Sequence, residues 1–487
     1  MDKHEKNKLL LPSSLRDVLE RLNQGVSGVI VLVDNNDTVH GILTDGDVRR
    51  ALLNGATLES PASRYMNTSF THGTADDSRE DLIKLLSDKI RHLPVLDQKR
   101  RLVDLVNWVD IWRKPVMEPH LGGNELKYIA DCITSNWISS QGSYVKNFER
   151  EFAAFHKEEF ALTTTNGTSA LHLALIALGV GPGDEVIVPD VTFAATANVV
   201  LHCGAKPVLV DVNPDTWTMD PEHVRLALNE HTKAIMPVHL YGHPCDMDPL
   251  LDIARDRGLF IVEDCAEALG ARYKGRLVGT MGDVGCFSFF SNKIITTGEG
   301  GMVLTRSQKL AERMALFRDH GMTPARRYWH PVAGFNYRMT NMQAAIGLAQ
   351  LEQIGTFCRL REAIAQRYQA NLDGVDGISL QPRAVWASPV MWLFTVLLPG
   401  YQEHERALVI ERLARCGVEA RPFFPPLHLQ PPYATTSDNF KTANRLGREG
   451  LSLPSGISLS PEDIDRICSI LLETITRYPA ASLQEAV

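Results

Sequence analysis

Within the first 113 residues, short apolar runs alternate with polar turns in an order that occurs twice. GVIVLVDNNDTVHGILTDGDVRRAL predicts a strand, an Asn/Asp turn, a second strand and a helix, and HLPVLDQKRRLVDLVNWVDIW repeats that order. The repeat aligns Gly41, Thr44 and Asp47 with Asp104, Asn107 and Asp110 at the same spacing. Past a seam near residue 113 the texture changes. ALTTTNGTSALHLALIALG, DEVIVPDVTFAATANVVLHCG, KPVLVDV, KAIMPVHLYG and LFIVEDCAEALG alternate β-branched runs with amphipathic helical patterns. Strands alternating with helices predict an α/β domain whose mostly parallel sheet is covered on both faces. Beyond about residue 360, the helical CRLREAIAQRYQANL leads to a strand-like MWLFTVLLP and a terminal helix. The division expected is therefore an N-terminal pair of repeats at 1–113, a large α/β domain at 114–360 and a smaller C-terminal α+β domain at 361–487.

In such sheets, binding crevices lie at the carboxyl ends of the strands, and the unusual residues gather there. Asn166-Gly167-Thr168-Ser169 sits between the strand-like LTTT and a helix. A turn of this kind offers backbone N–H groups, hydroxyls and the positive end of a helix dipole to a phosphate, although N-capping alone also explains it. Phe193 follows a strand, where a ring can lie against a planar ligand or simply fill a core. Asp264 ends LFIVED, where a carboxylate is costly unless it meets a cation or donors. Lys293 lies in CFSFFSNKIITTGEGG, between an apolar run and a glycine-rich turn, with Ser288 shortly before it. One ligand accounts for all of these: pyridoxal 5'-phosphate. Its phosphate matches the Gly-Thr-Ser turn, its ring an aromatic lid, its ring nitrogen an acid and its aldehyde an amine.

Composition narrows the picture without redirecting it. The chain of 487 residues is 44% hydrophobic and 22% charged, with a formal charge of −8. That balance gives no electrostatic reason to bind nucleic acid or an anionic membrane. No run of about 18 apolar residues is present to span a bilayer, and the N-terminal three-leucine run is too short for a signal peptide. A cytoplasmic protein is expected. The eight cysteines form no C-x-x-C pair, which fits reduced thiols. HLYGHPCDMD gathers His239, His243, Cys245, Asp246 and Asp248, but its spacing suits no standard zinc pattern, so no metal is expected.

Two resemblances extend these readings. Residues 8–113 resemble a tandem pair of CBS domains. In that family the Thr and Asp of G-x-x-T-x-x-D hold the ribose of an adenine nucleotide, which implies Thr44 and Asp47 here. The second copy departs, with Asp104 for Gly and Asn107 for Thr. At most one competent nucleotide site is implied, and a dimerisation module is the alternative. Residues 116–487, through WISSQG, NGTSALHLAL, GPGDEVIVP, VEDCAEALGA, FSFFSNKIITTGEGGMV and GFNYRMTNMQAAIGLAQL, resemble the DegT/DnrJ/EryC1/StrS nucleotide-sugar aminotransferases, which have the fold-type I architecture of pyridoxal phosphate enzymes. The resemblance implies Lys293 as the lysine that bonds the cofactor's aldehyde and Asp264 at the ring nitrogen. It implies Gly167, Thr168 and Ser288 at the phosphate, Phe193 as the stacking ring and Glu267 near the cofactor hydroxyl. Asn336 would reach the phosphate of a neighbouring subunit, so a homodimer or larger assembly is implied. The implied substrates are L-glutamate and a nucleotide-linked 4-keto sugar, GDP-4-keto-6-deoxy-D-mannose, used for surface polysaccharide. A UDP- or dTDP-linked keto sugar, or a regulatory protein with an inactive transferase half, are the alternatives. Ser291 stands where the family has glycine, and a serine fits there only outside the glycine-specific backbone region.

Overall fold

The computed structural model describes residues 5–24, 28–87, 90–108, 112–435 and 439–477. The chain forms two compact units, one of residues 1–113 with 415–417 and one of residues 114–414 with 418–487.

In the N-terminal unit, the repeated sequence pattern becomes a repeated topology. Strands Lys8–Leu10, Val29–Val33 and Val39–Thr44 form one three-stranded sheet, and Gly73–Thr74, His92–Leu96 and Leu102–Asn107 form another. In each, the first two strands pair parallel and the last two antiparallel. Both hairpins carry a register irregularity at the equivalent step, Leu32/Val33 and Val95/Leu96. The alternation within Val29–Val33 sends Val29, Val31 and Val33 into a core that also receives Leu96, Leu102 and Leu105 of the second repeat. Ile30 and Leu32 face a second core with Leu15, Leu43 and Val48. The basic Lys99-Arg100-Arg101 is a hairpin turn: Asp97 accepts from the amides of Lys99 and Arg101 at 2.9 and 2.8 Å. Asp110, the third position of the second repeat's motif, lies outside the described residues.

The larger unit is built on a seven-stranded sheet. Its strands are β1 (Phe160–Thr164), β2 (Glu185–Pro189), β3 (Lys206–Val210), β4 (Thr232–Ile235), β5 (Phe260–Asp264), β6 (Val284–Ser288) and β7 (Gly301–Thr305). Their spatial order is β1-β7-β6-β5-β4-β2-β3. β7 is antiparallel to both neighbours, and the remaining pairs are parallel. Both faces are covered, as the apolar runs predict: in the fully buried β2, Ile187 enters one core while Val186 and Val188 enter the other. The helix Ile354–Leu372 runs without a break through position 360. It leads to an antiparallel four-stranded sheet of Ser379–Leu380, Phe394–Leu397, Gly450–Leu453 and Arg421–Pro422. Only Phe394–Leu397 of the strand-like MWLFTVLLP is strand; Trp392, just before it, serves the site described below. The terminal helix Pro461–Arg477 returns to Ile354–Leu372 through Asp465, which accepts from Arg367 Nε at 2.7 Å and Asn371 Nδ2 at 2.8 Å. Among the described residues, no helix is long and apolar enough to cross a membrane.

Candidate active site

The site lies at the carboxyl ends of β1, β5 and β6, where backbone groups are no longer spent on strand pairing. After β1 the chain turns into the helix Gly167–Leu178. Asn166 caps it by accepting from the Ser169 amide at 2.8 Å, and Ser169 Oγ accepts from the Asn166 amide at 3.1 Å. The cap is thus made by Asn166 and Ser169 alone. The first-turn amides of Gly167 and Thr168 have no intrahelical acceptor, and the Thr168 hydroxyl makes no hydrogen bond among the described residues. Gly167 allows the helix start to approach β6 closely, because a Cβ there would stand 2.8 Å from that of Ser288. At Gly301 a Cβ would run into the Asn166 carbonyl oxygen. Helix dipole, free amides and two hydroxyls converge on one small anion-binding corner.

Asp264 ends β5 and is 5% exposed. It accepts from Thr196 Oγ1 at 2.8 Å and from the Ala266 amide at 3.1 Å. Burial pushes its carboxyl above the ordinary value, against the pull of those two donors and of the Lys293 charge. Glu267 is also buried; it accepts from the Tyr241 amide at 2.8 Å and lies 3.8 Å from Lys293 Nζ. Burial pushes it up to about 7. The Lys293 amine is pulled below its ordinary value by burial, with Glu267 and Asp264 opposing. Burial thus moves both acids up and the amine down, toward one another, the direction that favours an amine acting as a nucleophile and a base. Lys293 Nζ also sits 3.6 Å from the centre of the Trp392 ring. Ser291 is not among the residues with left-handed backbone, so a serine fits where the family has glycine.

The other expected residues divide. Phe193 is 60% exposed and 6.1 Å from the Phe424 ring, leaving a face open beside the site. Asn336 is exposed and accepts from Arg338 Nε at 3.1 Å. Its neighbour Tyr337 accepts through its carbonyl from the Thr165 amide, so this segment runs beside the cradle turn. In the N-terminal unit, Thr44 and Asp47 form a capping box for the helix Asp45–Leu53. The Asp47 carboxylate accepts from the Thr44 amide at 2.8 Å and the Thr44 hydroxyl at 2.7 Å.

The histidine-rich segment is spent on structure. His243 Nδ1 contacts the Pro244 carbonyl and its Nε2 accepts from the Ala384 amide. Asp246 accepts from Tyr273, and Asp248 pairs with Lys274. Among the described residues one group of three metal-type side chains comes together, His239, Glu263 and Cys265. Hydrogen bonds account for it: the Cys245 amide donates to His239 Nδ1, and Glu263 takes His239 Nε2 and the amides of Gly279, Met281 and Gly282. Sequence reasoning missed Thr196, Tyr241 and Trp392. Thr196, one helical turn after Phe193 in the same crevice, could have been found from its spacing. Trp392, a hundred residues from the lysine, carries no local signal.

These residues fit pyridoxal phosphate on their own chemistry. The corner at Gly167 supplies anion donors, Asp264 a buried acceptor, Lys293 an amine and Phe193 an open ring. The Asn292 Oδ1 beside the lysine is buried without a hydrogen-bond partner among the described residues. Comparison with known proteins agrees. The model of the DegT/DnrJ/EryC1/StrS aminotransferase family matches residues 119–472, and the CBS domain model matches 12–54 and 62–111. The chain is similar to the GDP-perosamine synthase of Caulobacter vibrioides, 48% identical over 364 residues that cover 74% of this chain and 98% of that one. It is 45% identical over 359 residues to the enzyme of the same name from Escherichia coli O157:H7, again 74% and 98% of the two chains. Among solved structures it resembles S. venezuelae DesV, 38% identical with a TM-score of 0.68, over 72% of this chain and 94% of that one. The chain belongs to the DegT/DnrJ/EryC1/StrS family and is a pyridoxal-phosphate-dependent aminotransferase carrying an N-terminal CBS domain pair.

Proposed function

We propose that the enzyme transfers the amino group of L-glutamate to C4 of GDP-4-keto-6-deoxy-D-mannose, yielding GDP-perosamine for surface polysaccharide. The observation that carries this reading is the 48% identity to a GDP-perosamine synthase over 98% of that enzyme's length. When bound, pyridoxal phosphate supplies the electron sink that allows a C–H bond next to nitrogen to break. The chain's residues take the remaining roles. The Gly167 and Thr168 amides, with the Thr168 and Ser288 hydroxyls, bind the phosphate. Asp264 holds a proton at the ring nitrogen, and Thr196 orients its carboxylate. Phe193 covers the ring and excludes water, and Glu267 faces the cofactor hydroxyl. Lys293 would hold the cofactor at its aldehyde, and its Nζ would carry the proton to and from the substrate carbon.

Asn336 serves the phosphate of a second subunit, so the active unit is at least a dimer. Residues 114–360 and 361–487 act as its large and small domains, and the enzyme works in the cytoplasm. In the N-terminal pair, Thr44 and Asp47 hold the ribose of an adenine nucleotide. A screen of GDP-, UDP- and dTDP-linked keto sugars with glutamate tests the substrate. The expected products are 2-oxoglutarate and GDP-perosamine. Turnover with a UDP- or dTDP-linked sugar alone would overturn the substrate while leaving the family in place. Calorimetry with AMP, ADP and ATP tests the N-terminal site, and silence in all three would leave a dimerisation module.

A further inference from the structure

Trp392 enters the site from the segment that precedes strand Phe394–Leu397, and every polar handle it has is used. Its indole N–H donates to the Asn292 carbonyl at 2.6 Å, gripping the residue before the lysine. Its backbone amide donates to the Tyr241 carbonyl at 3.0 Å. Tyr241, held in left-handed backbone with φ 50°, turns its own amide onto Glu267 Oε2 at 2.8 Å. Glu267 Oε1 faces Lys293 Nζ at 3.8 Å, and that amine lies 3.6 Å from the centre of the Trp392 ring. The contacts close a circuit through Trp392, Tyr241, Glu267, Lys293 and Asn292. The Trp392 carbonyl is fixed in turn by the buried Arg361, whose Nη1 donates to it at 3.2 Å.

A tryptophan that served only as core would not need its ring face beneath an amine, nor its N–H on the amine's own loop. A cation over an indole is attracted by the ring quadrupole, most strongly where water is excluded. Here Trp392 is 4% exposed. We propose that Trp392 is a positioning residue: its indole face and the Glu267 carboxylate form a berth that receives the Lys293 ammonium whenever the amine is not bonded to cofactor. The berth keeps the freed amine beside its loop, ready to exchange a proton, instead of letting it swing into the substrate space. The charged groups that face Nζ are Glu267 and Asp264, and the ring is the neutral third wall. This inference rests on Lys293 being the cofactor lysine.

The test uses the full-length holoenzyme after excess glutamate, without keto acceptor, has left the lysine amine free. Competitive labelling of Lys293 with an amine reagent, followed by mass spectrometry across pH, reads the midpoint at which the amine loses its proton. In Trp392→Leu the midpoint should fall by about one pH unit, equivalent to roughly tenfold more free amine at a given pH below it. Trp392→Phe keeps a ring face but loses the N–H to Asn292, and its midpoint should lie between those of wild type and Leu. An unchanged midpoint in both variants, or Phe equal to Leu, would overturn the berth. If Trp392→Leu does not fold, the ordering of Phe against wild type still decides. Borohydride reduction of the untreated holoenzyme separates the two ideas, since label on a different lysine would refute the Lys293 assignment itself.

Discussion

Two helix starts in this protein use the same capping chemistry and leave opposite remainders. At Asp45–Leu53 the cap is Thr44 with Asp47, the two residues that the CBS pattern assigns to a nucleotide. At Gly167–Leu178 the cap is Asn166 with Ser169, the flanks of the cradle, and no described residue claims the Thr168 hydroxyl between them. In the first case a ligand must compete with a closed hydrogen-bonded box. In the second, the helix has already satisfied its own needs and offers the surplus. A motif residue is available to a ligand when its neighbours do the capping.

The largest effects should come from the chemistry that the second helix start serves. Lys293→Ala should lose at least about 10²–10⁴-fold in turnover, the range for loss of a positioned proton carrier, and rate assays with and without added amine will measure it. Asp264→Asn should retain cofactor while losing most activity, because a neutral amide cannot hold the ring nitrogen's proton. Near-normal turnover would move that role to another residue.

Next in size is a pH effect on the cofactor-free protein. Burial raises Glu267 from its ordinary value near 4.5 to about 7 in the folded state. A carboxyl raised on folding contributes stability that is complete below its unfolded value and lost as pH rises through the folded one. Stability should therefore decline between about pH 4.5 and 7, by on the order of 3 kcal/mol from this group. Glu267→Gln should flatten that slope in denaturant titrations, and an unaltered slope would place the charge elsewhere.

The comparison itself is sharpened by smaller changes. Asn166→Ala should cost about 1 kcal/mol of stability as a lost cap. Thr168→Val should leave the melting temperature of the cofactor-free protein unchanged and weaken pyridoxal phosphate binding about tenfold, one hydrogen bond to a charged group. If Thr168→Val destabilises as much as Asn166→Ala, the two roles are not separate. Thr44→Val should raise hydrogen exchange across residues 45–53 of the nucleotide-free protein by an amount equivalent to about 1 kcal/mol.

The sequence made the strand-end residues legible because period and chemistry conflict there. Asp264 is an acid closing an apolar strand, and Lys293 an amine following a buried one, so each demands a partner on sequence grounds alone. Thr44 and Asp47 carry two meanings at once: T-x-x-D is the spacing of a capping box as well as of the CBS pattern, and sequence alone does not separate the two. In the proline-rich RPFFPPLHLQPPY, His428 is buried against Asp190, 2.6 Å from Nδ1 to Oδ2, and Arg421 pairs with Glu419, contacts that no local pattern announces. Trp392 and Tyr241 stayed hidden because tertiary pairing across long separations brings them in, and an apolar run shows burial without showing against what.

The strand β7 has a consequence for how such an enzyme can diverge. Gly301 pairs with Thr164 on one side and Ser288 on the other. The turn proposed to cradle the phosphate and the loop that carries Lys293 therefore leave the sheet on either side of a single residue. The strand ends from which they leave, Thr164 and Ser288, are held two inter-strand spacings apart, about 10 Å in all, by backbone hydrogen bonds indifferent to side-chain identity. Ordinary substitution cannot stretch that gauge, because lengthening it would require a new strand order. Drift toward another sugar must be written in the loops around the gauge, while the spacing of these two strand ends is inherited whole.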